Sequence, residues 1–133
     1  MLFKKKVNNM AQILLIEDND LLRDTIKKLL ENKGYKIMVA SDGEEGLKMF
    51  RSDPAEVVIT DIIMPNKDGV ETIFELYKYF PAVSVIAISG GGKAPAEDYL
   101  NSIKLLPNVK YIFKKPFANY DLLMAIKDLI PKN

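Results

Sequence analysis

The sequence contains no cysteine and no histidine among its 133 residues, and these two absences exclude several kinds of chemistry. Without cysteine there is no disulfide, no thiolate nucleophile and no thiolate ligand for an iron–sulfur cluster. Without histidine there is no imidazole base and no zinc site of the usual type. Any reaction must therefore use carboxylates, hydroxyls, lysines and a bound ion.

The chain also has almost no net charge, because 19 lysines and arginines nearly balance 18 aspartates and glutamates. This balance gives no general attraction for nucleic acid or anionic lipid, so we expect no direct DNA binding. Long hydrophobic runs are missing too. The first apolar run, Ile13–Ile16, is far shorter than a signal-peptide core or a transmembrane helix, so we expect a cytoplasmic protein with no membrane span.

What the sequence does contain is the composition of one globular domain, with 48% hydrophobic and 28% charged residues. The length fits a single domain and predicts a chain without an attached output domain. We expect residues 1–10, which include three lysines, to form a short flexible leader, and residues 11–133 to form the domain. Met10 is an alternative start.

Five short apolar runs predict five β-strands. They are Ile13–Ile16, Tyr35–Ala40, Val57–Thr60, Val83–Ile88 and Tyr111–Phe113. Because polar residues do not alternate within these runs, the strands are expected to be buried on both faces, as in a parallel sheet covered by helices. Segments with helical periodicity separate the strands, and the first ends at Lys33 and Gly34. The alternation predicts an α/β fold with five helices and a doubly wound, five-stranded parallel sheet in the flavodoxin-like order 2-1-3-4-5.

Polar residues follow four of the predicted strands. Glu17 and Asp18 follow the first strand, Asp61 the third, Ser89 the fourth, and the two lysines Lys114 and Lys115 the fifth. In a doubly wound sheet these strand ends gather near the point where the strand order reverses. Three carboxylates this close together require a cation, and hard oxygen ligands with open positions suit Mg²⁺.

The charges of this cluster favour phosphoryl transfer. The formal charges of three carboxylates, one Mg²⁺ and one lysine sum to zero. Phosphorylation of Asp61 would add negative charge, which the Ser89 hydroxyl and the Lys115 ammonium group could stabilise. Simpler interpretations stay open for each residue alone. Glu17 and Asp18 are also favoured near a helix N-terminus, Asp61 and Ser89 in loops and turns, and Lys115 as a solvated side chain.

The combination resembles a response-regulator receiver domain of the CheY-like type, over about Ala11 to Lys132. The matching stretches are Ile13–Asp18, Val58–Pro65 with Asp68 and Gly69, Ile86–Gly90, and Phe113–Phe117. The resemblance implies Mg²⁺ held by Glu17, Asp18, Asp61 and the Ile63 carbonyl, phosphorylation of Asp61, and contacts from Ser89 and Lys115 to the phosphoryl group. It selects Lys115 over Lys114, because the family's lysine directly precedes a proline whose peptide bond is usually cis.

The resemblance also implies a stand-alone response regulator of a two-component phosphorelay. Because the chain has no histidine, the phosphoryl group would come from a sensor histidine kinase or a histidine phosphotransfer protein. The signal would pass to a downstream protein through the face of the fourth helix, fifth strand and fifth helix. Apart from its own phosphorylation and dephosphorylation, the chain is not expected to be an enzyme.

One position departs from the family pattern. The residue three before the lysine is often aromatic in receivers, but here it is Ile112, with Tyr111 one residue earlier. Neighbouring strand residues point to opposite faces, so Tyr111 is expected to pack and not to replace the missing aromatic.

Two other functions remain as alternatives. A degenerate receiver would act only as a binding scaffold, although the complete set of acids argues against it. A Mg²⁺-dependent phosphohydrolase with an aspartate nucleophile usually carries a second aspartate two residues later. Ile63 occupies that position and cannot act as a general acid.

Overall fold

The computed structural model describes residues 12–64, 68–90 and 96–131, in which strands and helices alternate along the chain. The elements are β1 (Gln12–Ile16), α1 (Asp20–Asn32), β2 (Lys36–Ala40), α2 (Gly43–Ser52), β3 (Val57–Asp61), α3 (Gly69–Tyr79), β4 (Ser84–Ser89), α4 (Ala96–Lys104), β5 (Val109–Lys114) and α5 (Asn119–Leu129). The leader predicted at residues 1–10 lies outside the described residues.

The five strands form one parallel sheet in the order β2-β1-β3-β4-β5, which confirms the predicted fold. The central strand β3 is buried at all five residues, as its unbroken apolar run predicts. The strand order reverses between β1 and β3, so the carboxyl ends of these two strands border a crevice. Within the described residues, no helix combines the length and apolar character that a membrane crossing requires.

Two hydrophobic layers cover the sheet, one on each face. On one face, sheet residues such as Leu14 and Val58 pack with buried residues of α2, α3 and α4. On the other face, residues such as Ile13 and Ile59 pack with buried residues of α1 and α5. The faces alternate along β1 and β3 because successive strand residues point in opposite directions. The sheet therefore supports the loops at its carboxyl end from between two packed layers, although its edge strands β2 and β5 are only partly buried.

Helix α1 ends where the sequence predicts, through the conformational freedom of one glycine. Gly34 has a φ of 95°, a left-handed conformation that glycine adopts without steric cost. The Gly34 N–H donates to the Glu31 carbonyl at 2.9 Å, and the Tyr35 N–H donates to the Leu30 carbonyl at 3.2 Å. This pair of hydrogen bonds is a Schellman motif, and it turns the chain directly into β2.

The bounds of β5 differ from the apolar run that predicted this strand. The run covers only Tyr111–Phe113, whereas the strand covers Val109–Lys114. The pairing with β4 shifts between Val85 and Ile86, and the exposed Lys110 is left without a partner position in the register. Because β5 is an edge strand with a bulge, it tolerates polar residues that a central strand would exclude.

Candidate functional site

Glu17 and Asp18 follow β1 directly and lie in different environments. Glu17 is fully buried, whereas Asp18 is exposed. The Glu17 N–H donates to the Ala40 carbonyl at 3.0 Å, and one carboxylate oxygen, Oε2, accepts from the Asn19 N–H at 3.1 Å. Its main-chain carbonyl accepts from Arg23 Nη1 at 2.9 Å. These bonds leave the second carboxylate oxygen, Oε1, facing the centre of the site.

Asp61, the last residue of β3, lies beside this acid pair and is only 4% exposed. Lys115, which follows β5, crosses to both carboxylates. Its Nζ donates a hydrogen bond to Asp61 Oδ2 at 2.9 Å and forms an ion pair with Glu17 Oε1 at 3.4 Å. The Lys115 N–H also donates to the Ser89 carbonyl at 2.9 Å, and the peptide bond between Lys115 and Pro116 is cis. The structure therefore brings together residues from the ends of β1, β3 and β5.

The three acids have the spacing of a metal site. One carboxylate oxygen from each of Glu17, Asp18 and Asp61 lies within 4.8 Å of the others. Asp61 Oδ1 and Glu17 Oε1 are buried and accept no hydrogen bond from the described residues, and Glu17 Oε1 has only its ion pair with Lys115 Nζ at 3.4 Å. Burying a carboxylate oxygen without a hydrogen-bond donor costs folding free energy. A hard divalent cation is a suitable partner for such oxygens. The donor set therefore fits Mg²⁺.

Burial and neighbouring charges shift the pKa values of Glu17, Asp61 and Lys115. Burial raises the pKa of Glu17 from 4.5 to about 7; the Asn19 hydrogen bond opposes the rise and the charge of Asp61 adds to it. Burial also raises the pKa of Asp61, although the Lys115 hydrogen bond lowers it. Burial lowers the pKa of Lys115, but its bond to Asp61 and the two nearby carboxylates outweigh burial and raise it.

These shifts predict that the metal-free protein loses stability as the pH rises from about 4.5 to about 7. In this window the folded state holds a proton on Glu17 that the unfolded state has released, so the free energy of unfolding falls with increasing pH. A shift from 4.5 to about 7 corresponds to about 3 kcal/mol for this group. Urea unfolding without Mg²⁺ at several pH values measures the effect.

Glu17→Gln is the matched control, because glutamine keeps the shape of the side chain and does not titrate. Its stability profile is expected to be flatter than that of the wild type across the same pH window. If both proteins lost stability in parallel, the titration would belong to another group and the assignment to Glu17 would be wrong.

The other two predicted site residues lie nearby, and their roles stay predictions. Ser89 is the last residue of β4 and is buried, and its neighbour Ile88 pairs in the sheet with Asp61. Ile63 follows Asp61 by two residues, with its side chain 43% exposed. The register explains the proximity of Ser89 to the site, because β3 and β4 end at the same edge of the sheet.

The departure at Ile112 has a structural counterpart in β5. Ile112 packs on the layer that includes α3 and α4, whereas Tyr111 packs on the layer that includes α1 and α5. Tyr111 stacks on Phe113, with ring centroids 5.9 Å apart, and its hydroxyl donates to Asp128 at 2.7 Å. Tyr111 is a packing residue on the opposite face, as the alternation of strand side chains predicts.

Three residues of this region make contacts that lie beyond the predicted site residues. Asn19 caps α1 by accepting from the Leu22 N–H at 2.8 Å, and Arg23 reaches back to the loop after β1. The first residue of α3, Gly69, lies so close to β3 that a Cβ would be 2.7 Å from the Ile62 Cα. An asparagine directly before a helix is a recognisable cap signal, but the other two contacts leave no pattern in the sequence.

Comparison with known proteins identifies the family. The model of the response regulator receiver domain matches residues 13–127. The probable C4-dicarboxylate response regulator DctR of Bacillus subtilis is 36% identical over 120 residues, which cover 87% of this chain and 50% of that protein. The sensor kinase CckA of Brucella abortus is 33% identical over 92% of this chain and 13% of its own length. The chain spans about half the length, or less, of the curated relatives it matches.

Solved structures agree with this assignment. A receiver domain protein from Clostridium thermocellum has a TM-score of 0.80 and 32% identity, covering 91% of this chain and 94% of that chain. The response regulator TrrA of Thermotoga maritima, solved in complex with Mg²⁺ and BeF, has a TM-score of 0.76 and 30% identity. The match covers 91% of this chain and all of TrrA. The chain belongs to the response regulator receiver domains of two-component systems.

Proposed function

We propose that this receiver domain accepts a phosphoryl group on Asp61 from a phosphohistidine of a sensor histidine kinase or a histidine phosphotransfer protein. The observation that carries the proposal is the 2.9 Å contact between Lys115 Nζ and Asp61 Oδ2, made beside the carboxylates of Glu17 and Asp18. The carboxylate nucleophile of Asp61, the ammonium group of Lys115 and two further acids therefore lie at one edge of the sheet. This arrangement requires no histidine or cysteine.

In the proposed reaction, a carboxylate oxygen of Asp61 attacks the phosphorus atom of the phosphohistidine. A P–O bond forms as the P–N bond breaks, and the leaving imidazole takes up a proton from water. Asp61 reacts in its ionised form, which the ammonium group of Lys115 favours. Lys115 can then donate to the phosphoryl oxygens, and Ser89 supplies a hydroxyl from the end of β4.

Glu17, Asp18 and Asp61 are the side chains that we propose hold Mg²⁺, together with the main-chain carbonyl of Ile63. The two buried carboxylate oxygens without hydrogen-bond donors support this assignment. A bound Mg²⁺ would supply positive charge to the oxygens of the transferred group. The Mg²⁺–BeF complex of TrrA, at 30% identity, supports the same choice of ion.

We further propose that residues 11–133 act as a cytoplasmic receiver, which signals through the face of α4, β5 and α5. Leu105, Tyr120 and Met124 are exposed apolar side chains on these elements or at their ends. Aromatic and methionine side chains are enriched at protein–protein interfaces, so these residues suit contact with a downstream protein partner. The domain would catalyse only its own phosphorylation and dephosphorylation, in two states between which the partner discriminates.

The test is to incubate the protein with Mg²⁺ and a small acyl-phosphate donor and then to measure its intact mass. We expect one labile phosphoryl group per chain, absent from Asp61→Asn and absent when Mg²⁺ is omitted. Asp24→Asn is a matched control, because Asp24 is an exposed carboxylate on α1 and its loss should leave the adduct unchanged.

The other outcomes identify the alternative functions. Repeated turnover of unrelated phosphate esters would favour an aspartate-nucleophile phosphohydrolase. A protein that neither gains the adduct nor binds Mg²⁺ would be a receiver scaffold. An adduct that persists in Asp61→Asn would assign the phosphoryl group to a different residue and contradict the proposal.

A further inference from the structure

Arg23, on the first turn of α1, makes one hydrogen bond within its helix and a second one to a residue outside the helix. Its side chain is 21% exposed, with Nη2 2.7 Å from Asp20 Oδ1 and Nη1 donating to the Glu17 main-chain carbonyl at 2.9 Å. The first contact is an ordinary pair within one helical turn. The second reaches six residues back, beyond the helix, to the loop that carries the acid pair.

We propose that Arg23 is a positioning residue for the metal site, which fixes the peptide unit that joins Glu17 to Asp18 and thereby the direction of both carboxylates. The inference rests on the proposed function, because it assumes that these carboxylates hold Mg²⁺. The hydrogen bonds of Arg23 go to the Glu17 main-chain carbonyl and the Asp20 carboxylate, not to the carboxylates of Glu17 and Asp18.

The other contacts of Glu17 explain why this one matters. The N–H of Glu17 is held by Ala40 at the end of β2, and Oε2 is held by the Asn19 N–H. The main-chain carbonyl of Glu17 accepts from Arg23 Nη1 at 2.9 Å. Without this donor, the peptide plane before Asp18 can rotate, and the exposed Asp18 side chain would turn with it.

An alternative role for Arg23 makes the opposite prediction. If the guanidinium acted only through its positive charge, it would repel Mg²⁺, and its removal would tighten metal binding. If Arg23 positions the loop, its removal weakens metal binding, because groups that orient metal ligands typically change affinity by about 10- to 100-fold. The sign of the change therefore distinguishes the two roles.

The experiment measures Mg²⁺ binding by calorimetry in the wild type, Arg23→Gln and Arg23→Lys, without any phosphoryl donor. We expect the Kd for Mg²⁺ to rise about 10-fold in both variants, because lysine keeps the charge but not the reach and geometry of the guanidinium. Lys27→Gln is the control: Lys27 lies on the next turn of α1, and its replacement removes the same charge. Its Kd is expected to stay within about 2-fold of the wild-type value.

A second measurement does not require the metal. Amide hydrogen exchange in the metal-free protein reports the hydrogen bond from the Asn19 N–H to Glu17 Oε2, and exchange at Asn19 should become several-fold faster in both Arg23 variants. If Arg23→Gln does not fold, Arg23→Lys decides the question alone.

The outcomes separate this inference from the proposed function. A wild-type protein that binds no Mg²⁺ would contradict the proposed function and this inference together. A wild type that binds Mg²⁺ normally, with unchanged or tighter binding in the Arg23 variants, would overturn only the role assigned to Arg23.

Discussion

Replacing Lys115 by methionine should lower the free energy of unfolding of the metal-free protein by about 3 kcal/mol at pH 8, and by clearly less at pH 5. Lys115 Nζ lies 2.9 Å from Asp61 Oδ2 and 3.4 Å from Glu17 Oε1, and both carboxylates are buried. At pH 8 the variant must hold two adjacent buried charges without a counter-ion. At pH 5 Glu17, whose pKa is about 7, carries a proton, so much of the repulsion disappears.

Urea unfolding at the two pH values measures this difference. Lys114→Met is the matched control, because Lys114 is the adjacent residue and is exposed, and its loss should change stability by no more than about 0.5 kcal/mol. Mg²⁺ should bind more tightly to Lys115→Met than to the wild type, because the ammonium group competes with the ion for the same oxygens. An equal loss at both pH values would contradict the electrostatic role assigned to Lys115, because methionine keeps most of the hydrocarbon stem.

The sequence predicts the fold well because the physical requirements of a covered parallel sheet leave a clear pattern. A strand buried on both faces, such as β3, needs an unbroken apolar run, and Gly34 marks the end of α1 through its left-handed conformation. The pattern is weaker for β5, which lies at the edge of the sheet. There, Lys110 can face solvent at a bulge, so the apolar run is shorter than the strand.

The convergence of Glu17, Asp18, Asp61 and Lys115 is predictable for a similar reason. Carboxyl ends of parallel strands meet at one edge, so residues distant in sequence must become neighbours. The sequence does not reveal that Glu17 is fully buried while Asp18 is exposed, nor that Lys115 contacts both Glu17 and Asp61. Those details depend on where each side chain points after its strand ends, and they determine the pKa of Glu17.

Two contacts to the main chain, made by Arg23 and Gly69, cannot be predicted from sequence patterns. Arg23 binds the Glu17 carbonyl, a group that every residue carries, so no particular residue type at position 17 reveals the contact. Gly69 is a similar case, because its role depends on the distance between α3 and the end of β3. Its position after the capping residue Asp68 would fit many other residue types.

Replacing Gly69 by alanine is expected to lower the free energy of unfolding by about 3 kcal/mol, through overpacking against the main chain. An added Cβ would collide with the Asp61 carbonyl oxygen and would lie 2.7 Å from the Ile62 Cα. Main-chain atoms cannot rotate away as a side chain can. The Gly69 N–H also donates to the Ile62 carbonyl at 2.7 Å, so moving α3 outward would stretch this bond and disturb the residue that follows Asp61.

Alanine substitutions at two other glycines test whether the atoms around a glycine determine how much free energy of unfolding is lost. A Cβ at Gly46 would press on the side chain of Ile16, with Cγ1 at 2.8 Å, and a change of rotamer can relieve part of that overlap. A Cβ at Gly90 meets no atom within 4 Å in the part of the chain that the structure describes. Urea unfolding should therefore rank the losses as Gly69→Ala, then Gly46→Ala, then Gly90→Ala. If Gly69→Ala were as stable as Gly90→Ala, α3 would not be held against β3 as closely as the structure indicates, and the support beneath Asp61 would be looser.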